Sequence, residues 1–186
     1  MKFAYADPVY LGQGKRYLPF HPDAMIWDDP ETHRQIIQRL CDEYPEGWAL
    51  SASSPSLYTL LPMCPAGVRV SPWIKPFASY KPNVNPGYVW EPVLWMGGRG
   101  YERKDRIATV RDFHVENITL KKKLPGAKPP RFAAWILGLL GVDFERNDTI
   151  DDLFPGTHGM TVIFNERKAR AQRLQDEAFQ AFELTA

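Results

Sequence analysis

The apolar residues of this chain recur in two rhythms, one of period two and one of period three to four. Residues 2–6 form a short apolar run that stops at Asp7-Pro8, which predicts a strand running into a loop. A polar turn follows at 27–30, where Asp29 stands at a helix N-cap and Pro30 at the first helical position. Ile36, Ile37, Leu40 and Cys41 then repeat with helical period until Tyr44-Pro45 ends the element. Residues 48–52 read as the next strand, followed by a Ser-rich turn and a short helix over 56–61. Two further strands are predicted at 68–74 and 88–95, the second rich in Val, Tyr and Trp and closed by Gly97-Gly98. The Pro- and Asn-rich stretch 77–86 and the basic stretch 98–106 read as loops. An amphipathic helix is predicted over 129–140, a turn-rich segment over 151–159, and a final helix over 161–182 carrying Arg167, Lys168, Arg170 and Arg173. Strands alternating with helices imply an α/β layered sheet, and no linker or repeat divides residues 1–186, so one domain is expected.

Composition narrows the class. At 186 residues the chain is long enough to bury a substantial core, and 44% hydrophobic with 24% charged residues is ordinary for a globular protein. A formal net charge of +1 argues against attachment to nucleic acid by bulk charge, while leaving room for a local basic face. Cys41 and Cys64 are far apart without metal-ligand or disulfide-framework spacing, which fits a reducing compartment. With no leader-like segment and no apolar run of membrane-spanning length, a cytoplasmic protein that engages no membrane is expected.

Three short motifs carry candidate chemistry. Asp7-Pro8-Val9-Tyr10 follows the first strand, and ligands of open α/β sheets bind beyond the carboxyl ends of strands. A carboxylate, a proline and an aromatic ring in that order suit an exocyclic amine: the carboxylate accepts its hydrogen bonds, and the ring stacks on the base that bears it. Asp-Pro is equally a common turn opener. The run from Asp151 to Gly159 is a Gly-containing turn before a helix, a place where backbone amides approach a ligand. Lys128-Pro129 precedes the helix with Trp135, where a proline at the first helical position is the simpler reading. His21, His33, His114 and His158 show no ligand spacing, and His33 is expected on a helix surface. Trp27, Trp73, Trp90 and Trp135 are expected in the core.

Taken in order, Asp-Pro-x-Tyr, then Lys-Pro before a helix, then Asp-x-Phe-x-Gly resembles the S-adenosylmethionine (SAM)-dependent amino-methyltransferases that modify adenine N6 or cytosine N4 in DNA. The order matches the permuted group, in which the catalytic motif precedes the SAM-binding motif. Closer still is the resemblance to small methyltransferase-like proteins of actinobacterial phages and their hosts. It rests on the stretches beginning at Trp27, Trp73, Trp90 and Asp151. The resemblance implies a Rossmann-like methyltransferase domain. Asp7, Pro8 and Tyr10 would grip the target amine, and Asp152, Phe154, Gly156 and His158 would line the amino-acid moiety of SAM. Lys128 and Pro129 would cover the cofactor from the other side.

This sequence departs from the family pattern at three points. Val9 stands where a second proline is usual. His158 stands at the second glycine of the SAM loop, where a side chain could intrude on the cofactor or meet a backbone that needs positive φ. The chain also ends one helix after that loop, so the strand that normally supplies an acidic residue for the ribose is expected to be missing or shortened. On the target side, Arg99, Tyr101, Arg103, Lys104 and Arg106, continued by Arg111, Lys121, Lys122, Lys123, Lys128 and Arg131, are candidates for a phosphate-tracking face. Two functions stay open: a SAM-dependent methyltransferase acting on an exocyclic amine of a nucleobase in DNA, with adenine N6 favoured, and an inactive methyltransferase-fold protein that binds nucleic acid or a protein partner. Sequence selectivity would call for a dimer or a partner, since no separate target-recognition region is evident.

Overall fold

A computed structural model describes residues 1–78, 84–100, 109–119 and 126–183. The described residues form a mixed six-stranded sheet in the order β5-β3-β4-β2-β1-β6. Its strands are β1 (Lys2–Ala6), β2 (Gly47–Ser51), β3 (Arg69–Ile74), β4 (Trp90–Gly97), β5 (His114–Val115) and β6 (Thr149–Asp152). The longer helices are α2 (Pro30–Glu43), α4 (Pro130–Leu139) and α5 (Gly159–Glu183), while α1 (Gly14–Tyr17) and α3 (Leu57–Leu60) are single turns. β2, β1 and β6 run parallel, and β4 lies antiparallel to both β2 and β3. This is an α/β fold of the Rossmann-like kind, as the alternation of strand and helix patterns predicts.

Alternation along the strands sorts residues between two cores. Phe3 and Tyr5 face one way, with Ala49, Val93, Trp95 and Trp73, and meet Phe132, Trp135 and Ile136 of α4. Ala4 and Ala6 face the other way, with Trp48, Leu50 and Leu94, and meet Ile37 and Leu40 of α2 and Tyr44 beyond its end. Each sheet face is therefore covered by helix, and the period-two pattern decides which. At the start of α2 the side chain of Asp29 accepts from the backbone N–H of Glu31 at 2.9 Å, which is the expected cap.

Two expectations are corrected. The segment read as turn-rich from Asp151 begins inside β6, whose Thr-Ile-Asp-Asp sequence has one apolar residue. Among the described residues this edge strand pairs with β1 alone, so it needs no alternating apolar face. His33 lies buried rather than on the surface, its Nε2 2.9 Å from the Trp27 carbonyl oxygen. It sits one turn before Ile36 and Ile37, on the stripe that α2 turns inward. No described helix is long and apolar enough to cross a membrane.

The end of the sheet opposite the strands' carboxyl ends is pinned by Asp148, whose side chain is fully buried. It accepts from Arg99 at 2.7 Å through both oxygens, from the Met1 ammonium at 2.7 Å and from the Asp143 backbone N–H at 2.8 Å. Burial would raise its pKa, but Arg99, the ammonium and the Asp143 N–H together hold it below the usual carboxylate range. A carboxylate depressed in the folded state stabilises above its unfolded pKa and ceases to do so as pH falls through the folded value. Asp148→Ala is therefore expected to cost about 3–5 kcal/mol at neutral pH, because it removes the buried acceptor shared by the Arg99 guanidinium, the Met1 ammonium and the Asp143 N–H. Urea unfolding at pH 7 and again below about pH 3 checks it, and the difference between wild type and variant should shrink in acid.

Candidate active site

One end of the sheet gathers every strand terminus that could carry chemistry. The parallel strands β1, β2 and β6 end there, β3 ends there because it is antiparallel to β4, and β4 begins there. Beyond these ends lies a cavity of about 690 Å³, lined among others by Asp7, Tyr10, Lys128 and Asp152. That volume falls within the range of small-molecule and cofactor sites.

The register explains the composition of its floor. Tyr5 is opposite Asp152, and Trp73 is opposite Glu91. All four point to the α4 face of the sheet, and Asp7 and Lys75 continue that face two residues beyond Tyr5 and Trp73. Four charged side chains, Asp7, Lys75, Glu91 and Asp152, are thus delivered by the strands to the spot where the chain enters α4. That entry supplies Lys128.

Lys128 lies at the centre of the cluster. Its Nζ donates to Asp7 Oδ1 at 2.8 Å, to Asp7 Oδ2 at 2.9 Å and to the Tyr10 hydroxyl oxygen at 2.9 Å. Glu91 Oε2 stands 3.6 Å from the same nitrogen. The Tyr10 hydroxyl donates to Glu91 Oε2 at 2.8 Å, and Lys75 Nζ donates to Glu91 Oε1 at 2.8 Å. Positive and negative groups alternate from Lys75 through Glu91 and Lys128 to Asp7.

The electrostatics follow from burial and this alternation. Burial pushes the Asp7 carboxyl up, and Lys128 offsets that only in part. Burial acts the same way on Glu91, but with lysines on both sides its pKa ends below the ordinary range. Burial would lower Lys128, yet Asp7 and Glu91 together hold it above the ordinary lysine value. Tyr10 is pushed well up, first by burial and then by the adjacent carboxylates, so it stays a phenol.

Asp152 is differently placed. Its Oδ1 is buried with no hydrogen-bond partner, while Oδ2 has a long contact of 3.5 Å with the Thr161 hydroxyl. Burial raises its pKa, with Asp7 adding to the shift and the Phe154 backbone N–H opposing it. The loop that follows puts Phe154, Gly156 and Gly159 on the cavity wall. Gly156 has φ +44°, and a methyl group in its place would meet only the Phe154 carbonyl oxygen at 3.7 Å, so the backbone there is open to a ligand. His158 adopts φ +57°, the left-handed conformation anticipated at the second-glycine position. Its side chain is exposed and absent from the cavity lining, so the residue does not intrude.

The remaining predicted residues divide. Pro8 and Val9 line the cavity, while Pro129 caps the start of α4. Lys128 meets Asp7, the candidate catalytic carboxylate, a contact 121 positions apart that the motif order does not anticipate. Arg99 donates through one terminal nitrogen to both oxygens of Asp148, at the opposite end of the sheet from Asp7. Arg111 and Arg131 are exposed, whereas Tyr101, Arg103, Lys104, Arg106, Lys121, Lys122 and Lys123 lie outside the described residues. Sequence reasoning gives Glu91 and Lys75 no role. The available signal is a charge inside or at the end of an otherwise apolar strand pattern.

Neither family models nor curated proteins give any match to the chain. Among solved structures it is similar to a proposed DNA modification methylase from Thermus thermophilus, in its selenomethionine form. There the identity is 12%, with 91% of this chain and 87% of that chain covered at a TM-score of 0.43. The same methylase complexed with S-adenosyl-L-methionine gives 14% identity, 90% and 86% coverage and a TM-score of 0.41. A likeness at this level says nothing about chemistry, which has to come from the site itself.

His158→Gly is expected to keep or raise the melting temperature. His158→Val should lower stability by about 1–2 kcal/mol, because a β-branched residue is least tolerant of left-handed backbone. Thermal unfolding of the two variants checks the pair.

Proposed function

We propose that this protein is a SAM-dependent methyltransferase acting on an exocyclic amine of a nucleobase in DNA, with adenine N6 as the preferred target. The observation that supports it best is a pair of carboxylates, Asp7 and Asp152, at the ends of neighbouring parallel strands and lining one cavity with Tyr10. The order of the two, target site before cofactor site, is the basis for reading the domain as permuted.

The residues present fit the cofactor. An unpartnered carboxylate oxygen on Asp152 matches the ammonium of an amino-acid moiety, and the open backbone at Gly156 and Gly159 leaves room beside it. Phe154 and Lys128-Pro129 complete that part of the wall. When bound, SAM supplies a methyl group activated on a sulfonium. On the protein side, Asp7 would accept a hydrogen bond from the target amine and so orient its lone pair. It would then take the proton that the amine nitrogen must lose on methylation. A carboxyl raised by burial suits that task. Tyr10, held by Glu91 and Lys128, offers its ring to the base.

A second reading has one specific observation in its favour. Both Asp7 oxygens are engaged by Lys128, which is what a methyltransferase-fold protein without activity, binding nucleic acid or a partner, would keep as a structural ion pair.

Transfer of labelled methyl from SAM to DNA separates the two. Wild type should label DNA, Asp7→Ala should reduce labelling at least about a hundredfold without altering the far-UV spectrum, and undiminished labelling by the variant would sink the catalytic assignment. Asp152→Ala should weaken SAM binding about tenfold or more by calorimetry, the loss of one charge-assisted hydrogen bond. On the acid side, the rate should fall as pH drops through the raised pKa of Asp7, above the ordinary aspartate range.

A further inference from the structure

We infer that Lys128 is a movable clamp, handed from Asp7 to Glu91 when Asp7 takes up its ligand, which makes Lys128 and Glu91 positioning residues for the target amine. The inference rests on the methyltransferase reading for its purpose, but the hand-over itself stands on geometry.

The three ammonium protons of Lys128 are spent on Asp7 Oδ1, Asp7 Oδ2 and the Tyr10 hydroxyl. An amine arriving at Asp7 therefore competes with a bidentate contact. The Lys128 side chain is only 12% exposed, and its Nζ lies among the rings of Tyr10, Trp73 and Phe132, with centroids 5.2, 5.9 and 5.9 Å away, so on leaving Asp7 it has those rings and little water around it. Those ring faces hold a cation weakly compared with a carboxylate. Glu91 Oε2 is already 3.6 Å from Nζ, so a shift of under about 1 Å brings it to hydrogen-bond distance.

Glu91 is equipped to receive it. Lys75 and the Tyr10 hydroxyl occupy one position on each of its oxygens, and a carboxylate has about four such positions, leaving capacity on both. With two lysines beside it Glu91 remains anionic, so the cluster keeps two positive and two negative groups before and after the transfer. Tyr10 serves as the pivot. Its oxygen accepts from Lys128 and its proton goes to Glu91, so Nζ can roll from one carboxylate to the other without losing the phenol contact. Among the described residues, Tyr5, Tyr17 and Asp152 are also coupled electrostatically to Asp7, and none of these three is cationic. Within the described cluster, Glu91 is thus the acceptor that can take Lys128 without a second rearrangement.

The test begins with the crystal structure of Asp7→Asn, which mimics an Asp7 whose charge is already engaged. Lys128 Nζ is expected within hydrogen-bond distance of Glu91, with Tyr10 unmoved. A nitrogen that stays on residue 7 or turns to solvent overturns the hand-over. Steady-state methyl transfer then reads its consequence. Glu91→Gln should raise KM for DNA roughly tenfold with kcat little changed, since the cost falls equally on bound substrate and transition state. Glu91→Asp, which keeps the charge, should recover most of that loss. A fall in kcat with KM unchanged in Glu91→Gln would count against it. Absence of methyl transfer in the wild type would remove the methyltransferase reading, and the Asp7→Asn structure would still decide whether Lys128 moves.

Discussion

Two carboxylates buried side by side at the end of a sheet cannot both stay ionised unless cations come with them. In this fold that constraint falls on Asp7 and Glu91. Strand alternation turns both toward the α4 face, and burial pushes the pKa of each upward. Desolvation of such groups costs several kcal/mol each, and mutual attraction restores it only with close geometry and further hydrogen bonds. Lys75 arrives from the end of β3 and Lys128 from the entry to α4, and the Tyr10 hydroxyl fills the gap between. The position of α4 is consequently tied to the charge balance of the site as well as to the apolar contacts of Phe132 and Ile136.

An apolar cluster of the same shape would hold α4 as well or better, since buried ion pairs seldom add stability over hydrophobic packing. A sheet end that carries Asp, Glu and Lys where Trp73, Val93 and Phe3 lie deeper on the same face is therefore better explained by a ligand than by folding. Perturbed carboxyls in a cavity point the same way.

How much of this could be read from the chain depends on the range of the interaction. β1, β2, β3 and β4 announce themselves because burial on two faces or one leaves a local pattern, and α2 announces itself through Asp29, Pro30 and its apolar stripe. β6 does not, because an edge strand held by β1 can be Thr-Ile-Asp-Asp. Asp7, Tyr10 and Asp152 are visible through motif resemblance, and the structure brings them into one cavity. Their chemistry is less visible. The partner of Asp7 is 121 residues away, and Glu91 looks like a stray charge until register sets it opposite Trp73. His33 misleads for a related reason: a polar residue on a helix is expected to face outward, although its spacing from Ile36 and Ile37 puts it on the buried stripe.

The two carboxylates also differ in what a ligand must do to reach them. Asp152 has a buried oxygen with no side-chain hydrogen bond, so a donor brought to it would satisfy it. Asp7 already holds Lys128 on both oxygens, so whatever settles there competes with an ammonium. On the proposed reading the two ligands would therefore meet different starting points: the cofactor's ammonium a carboxylate oxygen without a protein hydrogen bond, and the target amine a carboxylate that already holds an ammonium, with Glu91 3.6 Å from that ammonium as its alternative partner.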